Sequence, residues 1–359
     1  MGMEILFTHE RLDDFLLVEE MLFSNRLLID PMDSESDHPC RLVNYSLETE
    51  TEFRCLLDRN VVSYLIELAK GRKVTPNRDG ECYKLTAGLQ AFLSASEIMS
   101  EPSIAYHEYI ESAGLEKADK ELSVFRSADN LNANIYLDIA IGKISSVPDS
   151  DLVSYEAGEL VNAELPPKLR HFENNIIFLK KALSLKSKGK TDYQVLLELL
   201  DWIYEHYVFS APSFHFLSIY FSSKRISKML KSHSITGIRN ATWDLCLIQQ
   251  LITNVRDSDN TNIRWLLSTF DQAVKTTTDY VFLRYDESAE DYYLRLETLY
   301  SEMWGKKNNY GSKLLNKLVN FNESVNDPQR NIIRHKGSSE YILSLRKEVE
   351  REFQKYVIA

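Results

Sequence analysis

The chain is poor in the residues that interrupt structure. Of its 359 residues only 12 are glycine and 9 are proline, which argues against long linkers. No uninterrupted apolar run reaches the roughly 18 residues of a membrane span, so no membrane partner is expected. The opening MGMEILFTHERLDDF has no basic head followed by an apolar stretch, so no secretory leader is expected. The four cysteines, Cys40, Cys55, Cys82 and Cys246, form no CxxC pair, and no histidine stands at zinc-finger spacing from them. Reduced thiols in a cytoplasmic protein are the expectation. A glycine-rich phosphate loop, a GxSxG elbow and an HExxH helix are all missing. Their absence disfavours an ATPase, a serine hydrolase and a zinc protease.

Positive charge is also short. The formal net charge is −11, which disfavours a general nucleic-acid coat protein. The distribution is uneven: residues 1–164 hold 14 Lys+Arg against 31 Asp+Glu, and residues 165–359 hold 28 against 22. Most of the basic excess lies in 165–240, with 12 basic and 5 acidic residues. A basic middle beside an acidic surface suits a nuclease, and it equally suits two halves that attract one another.

What the sequence does have is apolar periodicity, mostly of helical kind. The first 49 residues read as a helix (RLDDFLLVEEMLFSNRLL), a polar loop and a strand (RLVNYSLE). FRCLL is a short buried strand ending at Asp58, and VVSYLIELAKG is a helix that stops at Gly71. A helix is expected over 83–100, and a further short one runs from EPSIAYHEY to Gly114. Residues 116–234 are mostly helical with short polar links. NATWDLCLIQQLITN (240–254) reads as a helix with Thr242 at its N-cap. RWLLST is a buried strand, FDQAVKTTTDYVF a helix, and the tail ends in a solvated amphipathic helix, SLRKEVEREFQKY. Strand–helix units at both ends of a long helical stretch give an α/β pattern. His206, His215 and the aromatic stretch YEHYVFSAPSFHFLSIYF read as packed or capping residues rather than as ligands or base-stacking platforms; His107 could touch a phosphate if it faced the cleft beside Glu108, but adjacent helical residues turn about 100° apart.

Three carboxylates fall where open α/β sheets place ligands, at the carboxyl ends of strands and the first turns of helices. Asp58 ends FRCLL, Asp271 follows RWLLST, and Asp244 is read in the first turn of its helix. Glu108 lies in the EPSIAYHEY helix. Carboxylates that converge repel one another, and a divalent cation removes that cost while activating a bound water.

LLDRNVVSYLI, EPSIAYHEY, TWDLCLIQQLI and WLLSTFDQAVK, in that order, resemble the four acidic elements of the PIN-domain family. The resemblance implies a three-layer α/β/α sandwich with a mostly parallel sheet, and a metal-dependent ribonuclease of the kind that serves as a toxin, an antiviral effector or an RNA-processing enzyme. It implies Asp58, Glu108, Asp244 and Asp271 as catalytic residues, with Asp58, Asp244 and Asp271 holding Mg²⁺ or Mn²⁺. Asn60 and Thr269 would support them, and Glu101 competes with Glu108. The family's domain is much shorter than this chain. The core is therefore expected at 50–115 and 235–285, with an extension at 1–49, a helical insertion at 116–234 offering basic surface to RNA, and a helical extension at 286–359.

RNIIRH resembles a second signature, the Arg-x4-His motif of HEPN-domain ribonucleases, which act without metal. It implies Arg330 and His335 as an alternative site, one usually assembled across a homodimer. A non-catalytic helical protein that binds an operon-encoded partner is the reading from a different class.

Overall fold

The computed structural model describes residues 11–32, 51–153, 170–206, 208–226, 229–230, 234–258, 261–284, 287–305, 308–324 and 339–355. The chain divides into two compact units. The first is Met1–Leu165 with Gln250–Asp271, and the second is Pro166–Gln249 with Gln272–Ala359.

The first unit is mixed α/β. It contains α1 (Leu12–Ser24), β1 (Leu28–Ile29), β2 (Glu52–Leu57), α2 (Arg59–Ala69), α3 (Arg78–Ala95), β3 (Met99–Glu101), α4 (Ser103–Ala113), α5 (Leu115–Asp129), α6 (Ala133–Ala140) and β4 (Ile263–Ser268). The strands form one sheet in the order β1-β4-β2-β3. β2 runs parallel to both neighbours, with Leu56 opposite Glu101 on one side and Leu57 opposite Ser268 on the other. β1 is the antiparallel edge strand, Leu28 opposite Ser268. Its neighbour Asp30 is buried and forms an ion pair with Arg264 of β4.

Strand residues alternate between the two faces of a sheet. Phe53, Cys55, Leu57 and Leu266 join the core made with Phe15 and Val18 of α1, Val62 and Leu65 of α2, Phe92 of α3 and Tyr136 of α6. Leu56 and Leu267 lie on the opposite face and are also fully buried. A parallel strand covered on both faces reads as a continuous apolar run, and each such leucine contributes about 1.5–3 kcal/mol by leaving water. That is why FRCLL and RWLLS stand out in the sequence.

Two strands run counter to the sequence reading. Residues 26–28 and 99–100 were expected to finish helices, yet β1 and β3 begin there. In both places the helix ends in a Schellman motif. Leu27 N–H donates to Leu22 O and Arg26 N–H to Phe23 O; Ile98 N–H donates to Leu93 O and Glu97 N–H to Ser94 O. The residue that must turn left-handed is Arg26 (φ 47°) in one and Glu97 (φ 55°) in the other. Glycine ordinarily marks such a stop, as Gly71 (φ 86°) does after α2, and here no glycine signals it. The strand expected over RLVNYSLE lies outside the described residues.

The expected boundaries also move. α5 and α6 were assigned to the helical insertion, but Ala118, Phe125, Ala128, Tyr136 and Leu137 are buried in the core of the first unit.

The second unit holds only helices among the described residues: α7 (Arg170–Ser187), α8 (Asp192–His206), α9 (Ala211–Phe221), most of α10 (Ile235–Asp257), α11 (Gln272–Val281), α12 (Ala289–Trp304), α13 (Tyr310–Ser324) and α14 (Ser339–Phe353). α10 starts five residues earlier than expected. Ser234 Oγ accepts from Gly237 N–H at 3.0 Å and begins the helix. Thr242 is therefore interior, and its hydroxyl donates back to Ile238 O at 2.8 Å.

The aromatic stretch around α9 is interior, with Phe214, Phe216 and Leu217 buried. The C-terminal helix is amphipathic but not solvated all round. Ile342, Leu345, Val349 and Phe353 are buried, and flanking ion pairs join α14 to α7: Lys180–Glu350, Lys181–Glu352 at 2.8 Å and Arg346–Glu173. No helix among the described residues is long and apolar enough to cross a membrane.

Glu97 is exposed and sits in a backbone region that costs an L-residue about 1–2 kcal/mol, so Glu97→Gly is expected to raise stability by about 0.5–1 kcal/mol once the unfolded chain's added freedom is subtracted. Urea denaturation measures it. An unchanged or lower midpoint would show that β3 is not set by that turn.

Candidate functional site

The three parallel strands end at one edge of the sheet, and the site is built there. β2 delivers Asp58, which occupies the N-cap position of α2 with extended backbone (φ −66°, ψ 152°). Its N–H donates to Ser268 O at 3.0 Å and its carbonyl accepts from Val62 N–H at 3.1 Å. The side chain makes no capping bond to α2. It points instead to the end of β4, where Oδ2 accepts from the Thr269 hydroxyl at 2.7 Å. The same hydroxyl oxygen accepts from Asp271 N–H at 2.9 Å. One threonine thus orients a carboxylate from 211 positions earlier in the chain and fixes the turn carrying a second one.

Both Asp58 and Thr269 are buried, and Asp271 is half-buried. Burial raises the Asp58 pKa above its ordinary value. The Thr269 hydroxyl works against that rise, the nearby Asp271 charge adds to it, and the Arg59 amide and Asn60 side chain lower it again. Asn60 is exposed on the first turn of α2.

Glu101 ends β3, level with Leu56 on the same edge, and its Oε1 accepts from Ser103 N–H at 3.0 Å at the start of α4. Glu108 is half-buried in the middle of α4. Asp244 is well inside α10, not in its first turn, and belongs to the second unit. The structure brings together Asp58, Asn60, Thr269 and Asp271. Among the described residues no group of three or more His, Cys, Asp or Glu is placed to hold a metal ion. Arg330 and His335 lie outside the described residues.

The sequence reading missed Arg59. Its guanidinium lies 4.0 Å over the Tyr109 ring and pairs with both carboxylate oxygens of Glu121. This ties the first turn of α2, next to Asp58, to α4 and α5. Nothing local marks the pair, because its partners are 62 residues apart. His107 is half-buried, and burial pushes its pKa down, so it is neutral at neutral pH.

The basic excess of 165–240 is also less available than its count suggests. Lys180, Lys181, Lys186, Lys188 and Lys190 all pair with Glu350, Glu352, Asp192 or Glu198 in their own unit.

Because folding raises the Asp58 pKa, the folded chain holds that proton more tightly than the unfolded one. Stability then falls as pH rises from about 3.8 through the folded value. Asp58→Asn is therefore expected to be more stable than the wild type at neutral pH without metal, with the gap closing below about 3.8. A pH series of thermal unfolding checks the sign. Thr269→Val removes a buried hydroxyl that serves both Asp58 and Asp271, and is expected to cost about 1–3 kcal/mol in urea denaturation.

No protein-family model matches the chain, and neither does any curated protein or solved structure, so the roles of these residues rest on their geometry.

Proposed function

We propose that the chain is a metal-dependent ribonuclease with Asp58 and Asp271 as its metal-holding pair. The supporting observation is the Thr269 hydroxyl that holds the buried Asp58 carboxylate against the turn of Asp271. A carboxylate kept in a place that disfavours its charge, with a second carboxylate nearby, suits a divalent cation. Mg²⁺ commonly uses only one or two protein carboxylates and completes its shell with water and substrate phosphate, so the pair fits it without Asp244 or Glu108.

When bound, Mg²⁺ or Mn²⁺ supplies an acidified water and offsets charge on the phosphodiester. The chain's own residues bind and orient. Asp58 and Asp271 hold the ion, Thr269 fixes the rotamer of Asp58, and Asn60 supports the ionised form of Asp58. Glu101 ends β3 on the same edge of the sheet and supports this reading as a further acid, not as a ligand. RNA as substrate, and a toxin or antiviral role, follow from the PIN-like motifs.

A second reading rests on the sequence motif: Arg330 and His335 are spaced as in HEPN-type ribonucleases, which act without metal.

Mixed RNA with Mn²⁺ or Mg²⁺, with and without EDTA, separates the two. The first reading expects cleavage that EDTA abolishes. It expects Thr269→Val to lose about 10–100-fold, as residues behind metal ligands do, and Asp58→Asn to lose more. Cleavage that survives EDTA and disappears in His335→Ala moves the assignment to the second unit. No cleavage under any condition leaves a partner-binding protein.

A further inference from the structure

The second unit contains a cleft of ≈290 Å³ between the start of α9, the end of α11, α12 and α13. Phe209, His215, Tyr292, Leu296, Leu315 and Leu318 line it. None of its lining residues carries a charge. The volume lies at the small end of ligand sites, which run about 300–1,000 Å³. The Tyr292 hydroxyl is committed to Tyr280 O at 2.8 Å, so this tyrosine presents its ring to the cleft.

The Tyr293 hydroxyl, also in the lining, donates to Asn316 Oδ1 at 2.5 Å, which leaves His215 as the polar group not yet accounted for. It is 3% exposed, and burial drives its pKa down to about 3, so the imidazole is neutral. A neutral imidazole has one N–H and one bare nitrogen, and the surrounding hydroxyls decide which is which. Ser218 spends its proton on Phe214 O at 2.9 Å. The Tyr300 hydroxyl, 3.3 Å from Ser218 Oγ, is then the donor in that pair. The Tyr300 oxygen, 3.0 Å from His215 Nδ1, must accept, so Nδ1 carries the hydrogen. Nε2 is left as a bare acceptor, with no partner among the described residues.

We infer that this cleft binds a small, neutral, aromatic molecule of one or two rings that donates a single N–H or O–H to His215 Nε2. The chemistry excludes alternatives on each count. A charged ligand would find no counter-charge in the cleft. A ligand without a donor would leave a buried acceptor unmade. The rings of Phe209, Tyr292 and His215 favour an aromatic partner. The site is independent of the carboxylate pair in the first unit, so neither proposal stands or falls with the other.

Calorimetric titration of the full chain with three probes tests it: indole, 1-methylindole and indole-3-acetate. Indole is expected to bind. 1-Methylindole lacks the donor and is expected to bind about tenfold more weakly, the value of one hydrogen bond. Indole-3-acetate is expected to bind more weakly still. His215→Phe keeps the ring and removes the acceptor, and should erase the difference between indole and 1-methylindole. Val319→Trp fills the cleft from its lining and should abolish binding; it carries the test if His215→Phe does not fold. No binding of indole up to its solubility limit overturns the proposal. So does equal binding of 1-methylindole, or binding that survives Val319→Trp.

Discussion

The first unit depends on the pairing of β2 with β4. The two strands belong to segments separated by more than two hundred residues, and closing such a loop carries an entropic cost that grows slowly with its length. The return comes from burying Leu56, Leu57, Leu266 and Leu267 on two faces at once, together with a parallel ladder six residues long on each strand. The register of that ladder also decides the site. With Leu57 opposite Ser268, Asp58 and Thr269 meet at the same edge. A slip of one residue would turn every side chain of β4 to the other face and part the carboxylate from its hydroxyl.

Burial that stabilises the strands works against the residue they deliver. Asp58 sits where apolar packing disfavours its charge, and the Thr269 hydroxyl offsets only part of that penalty. Proteins commonly keep such conflicts where a ligand resolves them. In the second unit the same tension takes a quieter form. His215 is equally buried and gives up its charge altogether, leaving a directional acceptor instead of an ion.

Parts of this arrangement were legible in the sequence for physical reasons. FRCLLD and RWLLSTFD are continuous apolar runs ending in polar residues, the pattern of strands covered on both faces, and the Thr-x-Asp turn lies where that reading put it. β1 and β3 were hidden because Arg26 and Glu97 hold a left-handed turn that glycine normally advertises. Asp244 was misplaced because Thr242 looks like a cap, whereas its hydroxyl bonds backwards inside a longer helix opened by Ser234. The Arg59–Glu121 clasp and the lysine–glutamate pairs of α7 with α14 join residues far apart in sequence, and no local pattern reports them.

The strand order β1-β4-β2-β3 bears on how the chain is made. β4 is an interior strand, yet it is the last of the described strands to be synthesised, after the Pro166–Gln249 half of the second unit. Until then β2 has a bare edge where β4 will lie, a row of unpaired amides and carbonyls of the kind that recruits foreign strands. Folding of the first unit therefore waits on the passage of much of the second through the ribosome. In that interval the nascent chain is most exposed to aggregation and most in need of a chaperone.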